Sequence, residues 1–342
     1  MPPLNLAAGA LLPSALLALV TWLAEPAIAD WQRREAAVMG TSVTVEVYHQ
    51  DREIARQGIE TALQEMRRIE ATMSPYIESS ELARLNTHAA SAPVRVSKEL
   101  FELIRQSLYF SRLTDGAFDI TFASVGYLYD YRNGKRPDAA QLQRATPLID
   151  YRNLVLDEKQ LTVSYSKPGV RIDLGGIAKG YAVDRCLQLL KQMGVEHALV
   201  TAGGDSAVAG DRLGRPWTIG VRHPRDREEL VAVIPLVDVA VSTSGDYERF
   251  FKEDGIRYHH IIDPASGDSA RALRSVTIIG ADATTTDALS TSVFILGPEE
   301  GLALIDNLPD IDAILIDRNG RLLYSAGLAR MSAAGEGRYR DL

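Results

Sequence analysis

Only one cysteine, Cys186, occurs in the 342 residues, so no internal disulfide framework exists. In a helical pattern a lone cysteine reads as a small core residue. Positive charge is also in deficit. Lys and Arg number 37 against 45 Asp and Glu, a formal net charge of −8, whereas a nucleic-acid-binding chain normally shows a basic surplus. No apolar run after residue 29 is long enough to span a bilayer. No Cys/His zinc pattern, G-x-S-x-G elbow or P-loop signature occurs. There is no repeat, no low-complexity block and no long linker after residue 30. What remains is a chain with 46% hydrophobic and 24% charged residues, enough to bury a full core.

Residues 1–29 are a different material. Leu11 to Leu23 is almost wholly apolar, and Ala27-Ile28-Ala29 gives an A-x-A pattern before Asp30. This reads as a secretory signal peptide ahead of a domain spanning 30–342. No Lys or Arg precedes the apolar core, so an uncleaved anchor at residues 11–23 is the alternative, although the run is short for a full span. No cysteine near the cleavage point could carry a lipid. The expectation is a soluble, exported, periplasmic protein.

Val43, Val45 and Val47 alternate with polar residues and predict a half-buried strand over about 38–48. Ala55, Ile59, Ala62, Met66, Ile69 and Met73 repeat at helical spacing, with methionines that read as core. Pro75 stops this helix. Ser97 is a plausible N-cap for a helix over Lys98–Leu113. Residues 153–165 read as a hairpin, and strands are expected at His197–Thr201, Trp217–Val221, Leu230–Leu236, Val239–Ser242, Arg257–Pro264 and Ser275–Ile279. A helix over Asp287–Leu296 ends at Gly297-Pro298, which starts another. Asn319-Gly320 joins Ile311–Ile316 to Arg321–Tyr324 as a hairpin. Strands lie both in hairpins and between helices, so the class is α+β with mixed or antiparallel sheets, in one compact domain with room for two lobes.

The centre of the chain is Arg171–Leu190, RIDLGGIAKGYAVDRCLQLL. Val170 and Ile172 read as a strand closed by Asp173, Gly175 and Gly176 as a tight turn, and Ile177–Met193 as an amphipathic helix stopped by Gly194. Free N–H groups and the helix dipole at such a junction suit a phosphate. An ordinary βα turn meets the same pattern. Lys179 in the first turn opposes the dipole, which suggests an anion or an acidic neighbour. Asp287 and Thr291, at i and i+4, present a carboxylate and a hydroxyl on one helical face. Together they could offer two oxygens to a hard cation such as Mg2+. His259 and His260 sit on one apparent strand and face opposite ways, so one of them at most faces a given site. A histidine at that strand end can act as a general base. His49, His88, His197 and His223 have no ligand-like neighbours in sequence.

The ordered set of motifs carries a resemblance. Met39-Gly40-Thr41, MSPYIESSEL with Asn86, TDGAFDIT, IDLGGIAKGYAVD, AGGD, VSTSGDYERF, HHIIDPASG and DALSTS run from about residue 37 to 297. In that order they resemble the FAD:protein FMN transferase, or ApbE, family. The resemblance implies a Mg2+-dependent enzyme that moves FMN from FAD to a threonine hydroxyl of an acceptor protein and releases AMP. The acceptor would be an FMN-binding domain of a membrane redox complex. It further implies FAD contacts at Met39, Tyr76, Ala117, Phe118, Asp119, Asp173, Lys179 and His260, and metal ligation by the Gly176 carbonyl, Asp287 and Thr291. His260 is the candidate base, with Asp263 or Asp119 as substitutes. The segment Phe122–Tyr131 follows only a subset of the family. An FAD hydrolase giving FMN and AMP, and an exported FAD carrier without chemistry, are the alternative readings.

The A-x-A site sets a first test. Intact mass of the exported protein should place its first residue at Asp30, and a membrane-bound species retaining Met1–Ala29 would overturn the signal-peptide reading.

Overall fold

A computed structural model of the protein describes residues 30–226 and 228–334; the expected signal segment lies outside them. In chain order the strands are β1 (Gln32–Val38), β2 (Thr41–Tyr48), β3 (Val94–Arg95), β4 (Leu154–Asp157) and β5 (Thr162–Tyr165). They continue with β6 (His197–Ala202), β7 (Asp205–Ala209), β8 (Trp217–Arg222), β9 (Leu230–Leu236) and β10 (Ala240–Gly245). Then come β11 (Phe250–Glu253), β12 (Ile256–His259), β13 (Leu273–Gly280), β14 (Asp312–Asp317) and β15 (Leu322–Tyr324). The helices are α1 (Arg52–Met73), α2 (Glu81–His88), α3 (Lys98–Leu113), α4 (Ala123–Gly126) and α5 (Ala139–Ala145), then α6 (Ala178–Gln192), α7 (Ala283–Leu296), α8 (Pro298–Asp306) and α9 (Ala326–Ala334).

One sheet dominates, in the order β1-β2-β6-β7-β10-β13-β14-β15, and smaller sheets are β3-β5-β4, β8-β9 and β11-β12. Every ladder among the described residues is antiparallel, some within hairpins and others, such as β2–β6 and β10–β13, between strands far apart in the chain, so the α+β class holds. Helix α6 packs between α1 and α7, and the three cover the sheet in turn, α1 on β1 and β2, α6 on β6 and β7, and α7 on β10 and β13. Val43, Val45 and Val47 are buried against α1 through Ala55, Ile59, Ala62, Met66 and Ile69. Asp51 caps α1 by accepting from the Glu53 and Ile54 amides. Cys186 is buried in α6, where its thiol donates to the Ala62 carbonyl at 3.2 Å and burial pushes its pKa up to about 12.

Three expectations need correction here, and a fourth, the strand over Arg257–Pro264, stops at His259 as β12, with the chain turning away at His260. The strand expected over about 38–48 is β2, Thr41–Tyr48, and it is the second arm of a hairpin with β1, because Met39 and Gly40 adopt φ of 55° and 67°, the left-handed pair that closes a tight turn with the strands' own twist. Helix α7 starts at Ala283 rather than Asp287: Asp282 caps it through the Thr285 amide at 2.8 Å. The Asp184 carboxylate, from α6, also takes the Ala283 and Thr284 amides at 2.8 Å each. Asp287 thus lies inside the helix.

The third correction concerns Val170–Leu174, which belongs to no ladder. Side chains take the place of strand partners there. Asn86 accepts from the Ile172 amide at 2.8 Å and donates to the Ile172 carbonyl at 2.9 Å. Ser124 accepts from the Arg171 amide at 3.0 Å, and the Asp173 amide donates to the Ile120 carbonyl at 3.0 Å. Buried backbone must be paired by something. Here one asparagine does what a neighbouring strand would do.

Asn86→Ala should therefore leave the Ile172 backbone unpaired and lower unfolding stability by about 2 kcal/mol, since an unmet buried polar group costs roughly 1–3 kcal/mol. Denaturant melts of the two proteins check it.

Candidate active site

The site forms at one end of the large sheet, where turns and helix ends meet. The β1–β2 turn at Met39-Gly40 and the β6–β7 turn at Gly203-Gly204 lie side by side, tied by the Gly203 amide on the Ser42 carbonyl at 2.9 Å. The last residues of β10 extend past β7, with the Thr243 amide on the Gly204 carbonyl at 2.9 Å. Gly204 is needed there, because a Cβ would stand 2.4 Å from the Thr243 carbonyl oxygen.

Helix α6 enters this end with no side-chain cap. Its Gly180 amide instead donates to Asp287 Oδ2 at 3.0 Å, from α7. The helices can approach so closely only at glycine: a Cβ on Gly180 would fall 2.0 Å from the Ala283 carbonyl oxygen. Lys179, one residue earlier, bonds Asp205 at the start of β7 and stands 3.5 Å from both Asp287 oxygens. The acidic neighbour that Lys179 called for is a pair of carboxylates. Side-chain exposure is 26% for Lys179, 2% for Asp205 and 3% for Asp287. Burial and the charge of Asp205 raise the Asp287 carboxyl well above its ordinary range, against Lys179 and the Gly180 amide. Burial works against the Lys179 ammonium, but the two carboxylates outweigh it and hold it charged.

Beside this cluster a row of hydroxyls joins β10 to α7. Ser242 meets Thr286 at 2.8 Å, Ser244 meets Ser290 at 2.8 Å, and Ser244 lies 3.4 Å from Thr291 Oγ1. Gly176 is adjacent, since a Cβ there would sit 3.2 Å from both Thr291 Oγ1 and the Phe118 ring. Asp287, Thr291, Gly176 and Phe118 are thus in one neighbourhood. No group of three or more His, Cys, Asp or Glu side chains among the described residues could hold a metal alone. An all-oxygen set with a surplus carboxylate suits a hard cation that takes one or two protein carboxylates and completes its shell elsewhere.

Arg249 links the remaining residues. Its guanidinium lies 3.5 Å from the Gly40 carbonyl, and its own carbonyl accepts from the His260 amide at 3.2 Å. Asp173 accepts from the Gly175 amide at 2.7 Å and feels the Arg249 charge. Tyr76, 82% exposed, stands within electrostatic reach of both Asp173 and Arg249. The Asp119 carboxylate is engaged within the protein, by Thr121 and by the Tyr151 amide at 2.7 Å. Ala117 lies in the turn before it, its amide on the Thr114 carbonyl at 3.0 Å. Asp263 closes its own turn through the Ala265 amide and Ser266 hydroxyl.

The two histidines differ in surroundings, but not by strand alternation, because His260 lies just past the end of β12. His259 ends β12, and its Nε2 contacts the Ala270 carbonyl at 2.7 Å, a structural role. His260 Nδ1 is buried without a partner. Sequence reasoning singled out neither Asp205, visible only as the end of AGGD, nor Arg249, within VSTSGDYERF. Nothing local marks either one; sheet register brings them in.

Residues 39–315 match the model of the ApbE family. The chain belongs to the ApbE family. A FAD:protein FMN transferase of Klebsiella pneumoniae is 34% identical over 295 residues, covering 85% of this chain and 90% of the relative. One from Treponema pallidum is 34% identical over 323 residues, 88% of each. Among solved structures, the ApbE protein of Thermotoga maritima superposes with a TM-score of 0.82 at 37% identity, covering 88% of this chain and 99% of that one. The flavin transferase ApbE of Vibrio cholerae gives 0.79 at 27% identity, with the same coverage.

The histidine in this ApbE-family site departs from the simple expectation of a pKa near 6.5. Burial, then the charges of Arg249, His259 and Lys179, pull His260 down to about 3. In the free protein its imidazole is therefore neutral throughout the physiological range. The His260 ring proton signals should stay constant between about pH 5 and 8, where exposed histidines titrate. NMR titration of wild type against His260→Ala assigns the signal, and a midpoint near 6.5 would contradict this.

Proposed function

We propose that this protein transfers FMN from FAD to a threonine hydroxyl of a separate acceptor protein. The observation that carries the reading is the buried Lys179–Asp205–Asp287 cluster beside Thr291, in a chain aligned over most of its length with FAD:protein FMN transferases. In the reaction the threonine oxygen bonds to the FMN phosphorus, the bond from that phosphorus to the AMP oxygen breaks, and the hydroxyl proton leaves to a base. Asp287, Thr291 and the Gly176 carbonyl would hold Mg2+, which neutralises pyrophosphate charge and stabilises the departing AMP. Phosphoryl chemistry is mostly positioning and electrostatics. Lys179 supplies a fixed positive charge next to that position. Met39, Tyr76, Asp173 and the Ala117-Phe118-Asp119 segment form the walls against which FAD is held.

His260 is the base in this reading. A threonine hydroxyl is a weak nucleophile and needs an adjacent acceptor for its proton. The unpartnered Nδ1 of a neutral imidazole is such an acceptor. Residues 1–29 act as an export signal ahead of the 30–342 domain, and the acceptor is an FMN-binding domain of a membrane redox complex reached on the exported, periplasmic side. No described helix is long and apolar enough to cross a membrane. A carrier would need neither the cation site nor a free histidine nitrogen.

Mature protein, FAD, Mg2+ and a threonine-bearing acceptor domain decide the matter by the acceptor's mass. A gain of one FMN on threonine is expected, dependent on metal and nearly lost in Asp287→Ala, whose fold should survive and whose FAD binding should weaken only in part. General-base assistance contributes about 10²–10⁴-fold, so His260→Ala should lose rate on that order. Free FMN and AMP with an unmodified acceptor would indicate the hydrolase. Intact FAD would indicate the carrier.

A further inference from the structure

We propose that Asp205 is a positioning residue: it decides where the Lys179 ammonium sits, and so whether the Asp287 carboxylate is open to a divalent cation. The inference rests on Asp287 being a metal ligand, as read above. Three charged groups share one buried space, two carboxylates and one ammonium. The ammonium is not shared evenly. It bonds Asp205 directly and stands at 3.5 Å from each Asp287 oxygen, the outer limit of a hydrogen bond. Asp287 Oδ2 meanwhile takes the Gly180 amide at 3.0 Å, which fixes the carboxylate without neutralising it.

Asp205 can hold the ammonium aside because it is itself immobile. It pairs with Ala202 across the β6–β7 turn and with Ser242 of β10, so two ladders fix its backbone. Gly203 holds that turn at φ 64°, which favours glycine, and at Gly204 a Cβ would stand 2.4 Å from the Thr243 carbonyl oxygen. A cation on Asp287 and an ammonium on the same carboxylate would repel across a few ångströms of low dielectric. With Asp205 present, the ammonium has a second carboxylate to keep when the cation arrives. Without it, Asp287 is the only carboxylate paired with Lys179 among the described residues, and lysine and metal compete.

The test reads metal binding, with Mn2+ as probe followed by its EPR signal in the absence of FAD. Asp205→Asn should weaken Mn2+ by about 10–100-fold, the range usual for loss of a partner behind a ligand. Lys179→Met alone should bind Mn2+ more tightly than wild type. The double variant Asp205→Asn/Lys179→Met should regain most of the lost affinity, because the competitor is gone. Persistent weak binding in the double variant would overturn the proposal, since Asp205 would then act on the ion directly or only on the fold; unchanged binding in Asp205→Asn would overturn it too. Lys179→Met keeps the test open if the asparagine variant fails to fold, as judged by its melting curve: affinity at or below wild type would refute the competition. Mn2+ affinity undiminished in Asp287→Ala would instead count against the metal assignment itself.

Discussion

The close crossing of α6 and α7 at Gly180 is the constraint on which the site depends. Two helix backbones approach until a Cβ would stand 2.0 Å from a carbonyl oxygen. That distance lets the Gly180 amide reach Asp287, places Lys179 against the same carboxylate, and lets Asp184 cap the start of α7. Any larger residue would push α7 away and separate Lys179 from Asp287. Overpacked cores respond in this way, by shifting backbone.

The crossing works only because the polar groups it buries are paired. Asp184 takes two amides and the Thr284 hydroxyl, and Ser242, Ser244, Thr286 and Ser290 pair off along the β10–α7 contact. A buried network that is fully satisfied specifies one arrangement of its elements, and a half-satisfied one is costly. The cluster of Lys179, Asp205 and Asp287 is the exception, with two carboxylates to one ammonium. The imbalance is expensive to fold around. On the proposed reading, a bound cation would offset that surplus of negative charge.

Much of the scaffold was legible because its signals are local. The Ser97 cap, the Gly194 stop, the Asn319-Gly320 turn and the Pro298 start each rest on one residue's own dihedral or hydrogen-bonding preference. Extent was harder to read. The start of α7 has a local cap in Asp282 and a second, non-local one in Asp184, 99 residues before Ala283, and the Ile172 segment looks like a strand because its partner is the side chain of Asn86 rather than a neighbour with a pattern. α5 went unread although its Asp138 and Gln141 form a capping box, a local signal that was available. In the site, spacing put Asp287 and Thr291 on one face, but the meeting of Asp205 with Lys179 is a fact of sheet register. No spacing along the chain encodes it.

His260 shows how far the chemistry of this site depends on what enters it. Its imidazole is poor in protons because it is buried and because Arg249 and Lys179 are positive. Both cations lie where an anionic ligand would find them, Arg249 beside the Met39-Gly40 turn and Lys179 at the start of α6. A pyrophosphate settling there would offset the charges that depress the histidine, and its pKa would rise toward the range where an imidazole is an effective proton acceptor. The acid limb of kcat, which reports the substrate complex, would then lie at higher pH than that of kcat/KM, which reports the free protein. Burial is the largest cause of the depression and would persist with a ligand bound, so only the share owed to Arg249 and Lys179 could be relieved by an anion.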